Sequence, residues 1–143
     1  KQVDAVLVGT VLNKTTITVI DSTILKMFPN DTSIQNYLMS KITIARYDFL
    51  VKDIYKGKIT NDTITIYTGL GGDDCGIEFE VEKNYIIYGV NETYFGQGNN
   101  DFKFPKAKNS FWTYICLQTT SYSQDKIREI EEFAKKIINY GND

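Results

Sequence analysis

"KITIARYDFLVKDIYKG", residues 41–57, is the stretch that decides the fold. Ile42, Ile44, Tyr47, Phe49, Val51 and Ile54 alternate with polar partners, the period of a half-buried β-strand. The phase slips once near Ala45 and Arg46, as a β-bulge at that point would make it. Lys56 and Gly57 end the strand. The flanking sequence supplies further strands.

Upstream, "VDAVLVGTVLN" (3–13) reads as a buried strand rich in Val and Leu, with Gly9 marking a bulge or coil. "TTITVIDST" continues in β-branched style, either extending that strand or turning back as a hairpin. Residues 27–40 form a long connection around the turn signal Pro29, Asn30 and Asp31, with room for a short helical turn. Downstream, "DTITIYTG" (62–69) is a strand with Ile64 and Ile66 on one face. "IEFEVE" alternates cleanly: Ile77, Phe79 and Val81 face one way, and Glu78, Glu80 and Glu82 the other. "NYIIYGV" is a short apolar strand. Residues 96–110 are a loop by their Gly, Asn and Pro content, and "FWTYICLQTT" (111–120) is the last strand.

The period then changes. "SQDKIREIEEFAKKIINYGN" places Ile127, Ile130, Phe133, Ala134, Ile137 and Ile138 on one face of a helix. Ser123 is its N-cap, Asp125 lies near the positive end of the helix dipole, Lys135 and Lys136 lie near the negative end, and Gly141 closes it. Five or six strands followed by one amphipathic helix predict a mainly β fold: a small OB-like barrel with a helix across it.

Composition narrows the function. The chain has 143 residues, enough for a single domain spanning 1–143. Its 16 Lys and Arg against 18 Asp and Glu leave a net charge of −2, without the basic field that nucleic-acid binding usually needs. No apolar run approaches the roughly 20 residues of a membrane-spanning helix. The chain contains no His, so imidazole bases and His metal ligands are excluded. The abrupt start at Lys1, without an initiator Met, leads to the expectation that an upstream segment has been removed.

The order "YDFLVKDIYKG", "TITIYTG", "CGIEFEVEKNYIIYG", "FWTYIC" and a terminal helix resembles the tissue inhibitor of metalloproteinases (netrin-module) superfamily, nearest to its secreted bacterial members. "VDAVLVGTVL" fits their first strand. The resemblance implies an OB-type five-stranded barrel with flanking helices, secreted or exposed on the cell envelope, without catalytic activity or cofactor. In the animal inhibitors an N-terminal Cys-X-Cys lies across the barrel, and its first residue chelates the protease's zinc. Its two cysteines pair with those that correspond here to Cys75 and Cys116. This chain begins with Lys1 and has no Cys-X-Cys. Three outcomes follow for its two cysteines. They pair with cysteines lying upstream, they bridge each other, or they are unpaired buried thiols. A direct bridge would close a loop of about 42 residues, worth roughly 4 kcal/mol in the chain-entropy model. An upstream lipobox cysteine would instead supply an N-terminal lipid anchor.

In the same inhibitors the residues before the Cys-Gly dipeptide belong to the protease-contacting ridge. That implies a partner-binding turn at Gly72, Asp73, Asp74, Cys75 and Gly76, set against the plainer reading of a solvated acidic turn. The expected partner is a protein, with a metalloprotease as the specific version. Asp73 and Asp74 carry oxygen ligands for a hard cation, but no calcium-loop spacing surrounds them, so no metal is expected. Glu78, Glu80 and Glu82 share one strand face and do not oppose one another as paired catalytic carboxylates do. Cys116 lacks an imidazole partner for nucleophilic work. The alternative function is an OB-type barrel that binds an oligosaccharide or single-stranded nucleic acid. Its stacking platform would be Trp112, Tyr114, Tyr85 and Tyr88, beside Lys103, Lys106 and Lys108.

Overall fold

The structure, a computed structural model, describes residues 3–35, 41–92, 102–104 and 107–140. Two strands of 16 residues each dominate it: β1 (Ala5–Ile20) and β2 (Lys41–Lys56). They pair antiparallel from Val6 opposite Lys56 to Ile20 opposite Lys41. β3 (Thr63–Thr68) pairs with β2, and β4 (Asn84–Gly89) pairs with β1, both antiparallel. β5 (Ser110–Trp112) runs parallel to β3, and β6 (Thr120–Ser121) is antiparallel to β4. The sheet order is β5-β3-β2-β1-β4-β6. β5 and β6 stand at the two ends of this open ladder. One further bridge joins Val90, just past β4, to Trp112 of β5 through two backbone hydrogen bonds of 2.9 and 2.8 Å.

The sheet curls because one face is a continuous core. Leu7 and Val11 of β1, Tyr47 and Phe49 of β2, Ile64 and Ile66 of β3, Tyr85 and Ile87 of β4 and Phe111 of β5 form a single buried cluster. Phe79 fills its centre, edge-on to Tyr47, Phe49 and Tyr85 at 5.0, 5.3 and 4.8 Å between ring centroids. Such contacts add to the area that each ring buries. The opposite face is covered in two places. Ile44, Tyr67, Val90, Trp112, Tyr114 and Leu117 form one cluster, and Val8, Ile86 and Ile127 another.

This double coverage explains the apparent phase slip at Ala45 and Arg46, where no bulge exists. β2 runs in unbroken register against β3 from Ala45 to Leu50. Ile44 belongs to the outer cluster and Ala45 to the inner one, so two cores in succession mimic one core with a slip. The register shifts fall instead against β1, between Val6 and Leu7, Val8 and Gly9, and Val11 and Asn13. The irregularity at Gly9 is therefore where the sequence placed it.

β1 does not turn back after Val11. It continues to Ile20 as a two-stranded ribbon with β2, where the Thr18 and Thr43 hydroxyls meet at 2.8 Å. The connection to β2 carries two short helices, α1 (Ser22–Met27) and α2 (Thr32–Gln35). Asp21 caps the first through the Thr23 N–H at 2.8 Å. Asp31 opens the second, accepting from the Ser33 N–H and hydroxyl and from the Ile34 N–H. Residues 36–40 lie outside the described residues, as does most of the expected loop at 96–110.

One expected strand is absent and another is interrupted. The alternating "IEFEVE" has no ladder; three of its N–H groups go to side-chain hydroxyls, and that of Glu82 goes to the Val11 carbonyl at 2.8 Å. Ile77 donates to Thr68 Oγ1 at 3.0 Å, Phe79 to the Tyr47 hydroxyl at 3.3 Å and Glu80 to the Tyr85 hydroxyl at 3.0 Å. The segment lies across the mouth of the curled sheet with Phe79 inside. Ile77 packs against the core as expected, whereas Val81, also expected inward, is 48% exposed where the chain turns toward β4. The three Glu side chains point to solvent as read, and Lys14 anchors Glu78 at 3.0 Å. That hydrogen bond raises the Lys14 ammonium above its ordinary pKa.

"FWTYICLQTT" is also broken, into β5, a single 3-10 turn (Ile115–Leu117) and β6. Buried threonine hydroxyls take over where the ladder stops. Thr113 Oγ1 donates to the Tyr88 carbonyl at 2.9 Å and meets Thr119 Oγ1 at 2.6 Å. Thr119 Oγ1 in turn accepts from the Tyr88 N–H, and Gln118, at φ 66°, reverses the chain.

α3 (Gln124–Tyr140) is the expected terminal helix. Ser123 caps it, with Oγ accepting from the Lys126 N–H at 3.1 Å, and Asp125 sits in its first turn. The helix runs to Tyr140, so Lys135 and Lys136 are not in its last turn. Ile127 and Ile130 pack on the sheet. Phe133, expected on the same buried face, is 66% exposed. The side chains of Ala134, Ile137 and Ile138, and all of Gly141, lie outside the described residues.

Candidate functional site

The chain leaves β3 at Thr68 and enters the acidic glycine turn. Gly69 and Gly76 meet there backbone to backbone. A Cβ on Gly76 would lie 2.6 Å from the Gly69 Cα and closer still to its carbonyl. Only glycine fits that crossing, which accounts for the glycine after Cys75. Between them residues 72–74 make one 3-10 turn. Asp74 staples it: its carboxylate accepts the backbone N–H groups of Leu70, Gly71 and Gly76, the last two at 2.9 Å each. Cys75 follows in the left-handed region, at φ 57°.

The second turn, Ile115–Leu117, is held from the other side. Leu117 is buried in the outer core, and the Thr113 N–H donates to the Tyr67 carbonyl at 2.9 Å. The two turns are joined directly: the Ile115 N–H donates to the Cys75 carbonyl at 3.0 Å. Cys75 and Cys116 therefore stand on neighbouring turns at the same end of the sheet. They form no disulfide, and both thiols are exposed. The reading of two buried thiols is thus overturned, because both cysteines sit on solvent-facing turns and not in the core. Beside them Leu70 is 42% and Ile115 65% exposed. These two apolar side chains carried no periodic signal, so sequence reasoning passed over them.

The five residues expected in the partner-binding turn divide by role. Gly72 and Cys75 are exposed. Asp74 is half-buried and bound to its own turn, and Gly76 is buried against Gly69. The Asp73 side chain lies outside the described residues. Among the described residues no three His, Cys, Asp or Glu side chains gather as a metal site. Of the proposed stacking platform, Trp112, Tyr114 and Tyr85 are buried and Tyr88 is half-buried; Trp112 packs between Tyr67 and Phe104 at 5.2 and 5.1 Å between ring centroids. Among the described residues no helix is long and apolar enough to cross a membrane.

No family model matches this chain, and no curated protein matches it either.

Proposed function

We propose that the protein is a non-catalytic binding module of netrin type, secreted or held at the cell envelope, which grips a partner protein with the end of the sheet that carries Cys75 and Cys116. One observation carries this reading. The hydrogen bond from the Ile115 N–H to the Cys75 carbonyl joins two turns that expose Leu70, Ile115, Cys75 and Cys116 side by side. Exposed apolar side chains grouped on rigid turns are what a protein interface uses. The rigidity comes from Asp74 and from the crossing of Gly69 and Gly76. A barrel closed at Val90 and Trp112 is part of the proposal, because it would hold the β3 and β5 exits side by side.

Metalloprotease inhibition is the specific version. Contact would rest on the two turns, or on cysteines upstream that pair with the exposed thiols. A panel of zinc proteases assayed with micromolar protein tests it. Inhibition that is lost in a Leu70→Asp, Ile115→Asp double variant, with the circular dichroism unchanged, supports the proposal. Unchanged turnover across the panel ends the inhibitory version. For the nucleic-acid and oligosaccharide alternative, Trp112, Tyr114 and Tyr85 are buried and Tyr88 alone of the stacking platform is partly exposed.

A further inference from the structure

α3 covers the sheet only in part. Ile127 seals against Val8 and Ile86, but beyond it the helix and the sheet part around a cleft of about 700 Å³. That volume suits a small organic ligand. Its walls are Val3 and Val6 at the start of β1, the rings of Tyr55 and Tyr88, and Ile130 and Phe133 on α3. Ile130 and Phe133 are three residues apart, so they line the cleft along about one helical turn. Phe133, 66% exposed, stands at its mouth.

The polar groups of the cleft are mostly donors. Glu129 is its carboxylate, and Lys126 already holds it at 2.7 Å. Among the described residues Lys56, which lines the cleft, makes no ion pair, and its ammonium donates to the Val3 carbonyl at 2.6 Å. Among the described residues the hydroxyls of Tyr55 and Tyr88 make no hydrogen bond. The lining itself carries two ammonium groups and one carboxylate, while Asp53 and Glu131 stand outside it near the Tyr55 hydroxyl, away from Lys126 and Glu129. The apolar walls call for an apolar body, the length along the helix for a linear one, and the surplus of donors for an anionic acceptor at one end.

We propose that this cleft binds a free acyl-chain carboxylate, with the chain between α3 and the sheet and the carboxylate on the Lys56 ammonium. The cleft meets the proposed protein-binding end only at Gln118, which closes the Ile115–Leu117 turn, and neither Lys56 nor Phe133, the residues its test changes, belongs to the two turns. The site therefore stands or falls independently of that function.

Calorimetric titration of the full chain with dodecanoate, below its aggregation concentration, tests the proposal. Saturable binding of one dodecanoate per chain is expected. Lys56→Met, which keeps the apolar stem, should weaken it roughly tenfold or more, the loss expected for one hydrogen bond to a charged group. Dodecan-1-ol should bind the wild type no better than dodecanoate binds that variant. Phe133→Ala alters an exposed side chain, so it leaves the fold intact and should weaken both ligands. No saturable heat, or equal affinity in wild type and Lys56→Met, overturns the proposal. So does binding to anionic phospholipid vesicles with none to free dodecanoate, which would make the cleft a membrane-facing surface.

Discussion

Asp74→Ala tests whether one carboxylate organises the turn before Cys75. Three backbone N–H groups converge on Asp74. The Leu70 donor is exposed and recovers a water when the carboxylate is removed, so its loss costs little. The Gly71 and Gly76 donors are partly buried and do not recover fully. An unsatisfied donor costs about 1–3 kcal/mol when buried, so two half-buried donors together amount to roughly 2–3 kcal/mol. For a chain of this length that lowers the melting temperature by about 5–10 °C. Asp74→Asn keeps one acceptor oxygen and loses the charge assistance, so about half the effect is expected. Thermal and urea unfolding followed by far-ultraviolet circular dichroism would measure both variants. A loss within about 0.5 kcal/mol for Asp74→Ala, the scale of an ordinary surface change, would show that the turn holds without its staple and refute the reasoning.

Gly76→Ala drives a methyl into the Gly69 backbone, which has no side chain to swing aside. A loss of up to about 3 kcal/mol is expected, read as a lower urea midpoint at unchanged slope. Phe79→Ala empties the centre of the aromatic cluster. It should cost about 3–5 kcal/mol in the same assay, although Phe79 belongs to no strand. The Ser33 hydroxyl and the Ile34 and Ser33 N–H groups hold Asp31 below its ordinary pKa of 3.8. A folded value below the unfolded one means that the contribution is present above the unfolded pKa and lost as pH falls through the folded one. The Asp31 carboxyl should therefore titrate by NMR below 3.8, with the amide shifts of α2 following the same midpoint, and Ser33→Ala should move that midpoint upward.

Alternation in the sequence reported which side chains face inward. It did not report what the backbone bonds to. Ile64, Ile66, Tyr47 and Phe49 alternate within strands, and the reading of both face and ladder holds. Ile77 and Phe79 alternate as cleanly, yet their N–H groups end on hydroxyls of Thr68 and Tyr47. Those hydroxyls come from strands that are distant in sequence, so no local pattern could announce them. The slip at Ala45 is the converse case, because a second core on the outer face makes both parities apolar. Caps were easier to find. Ser123 was legible because its hydroxyl acts three residues away. At the candidate site Gly76 was noticed for its place beside a cysteine, but its reason is Gly69, which only the folded chain brings near. Leu70 and Ile115 lie in turns without a period, so nothing distinguished them from core residues.

Of the four non-glycine residues with positive φ among the described residues, Glu82 and Asn109 lie elsewhere and two lie at the candidate site. Each of the two turns at the candidate site is closed by a non-glycine residue in the left-handed region, Cys75 at φ 57° and Gln118 at φ 66°. Each such residue costs on the order of 1 kcal/mol, and glycine would relieve it. Such a conformation persists where its surroundings over-determine it. Around Cys75 those surroundings are the Asp74 staple, the glycine crossing and the bond from Ile115; around Gln118 they are the buried Leu117 and the network of Thr113, Thr119 and Tyr88. The rigid core thus holds two strained turns side by side and leaves their thiols and apolar side chains in solvent. A turn that served only to reverse the chain would gain from glycine at position 75. On the proposed function, the thiol is kept there at a conformational cost because it belongs to the contact surface.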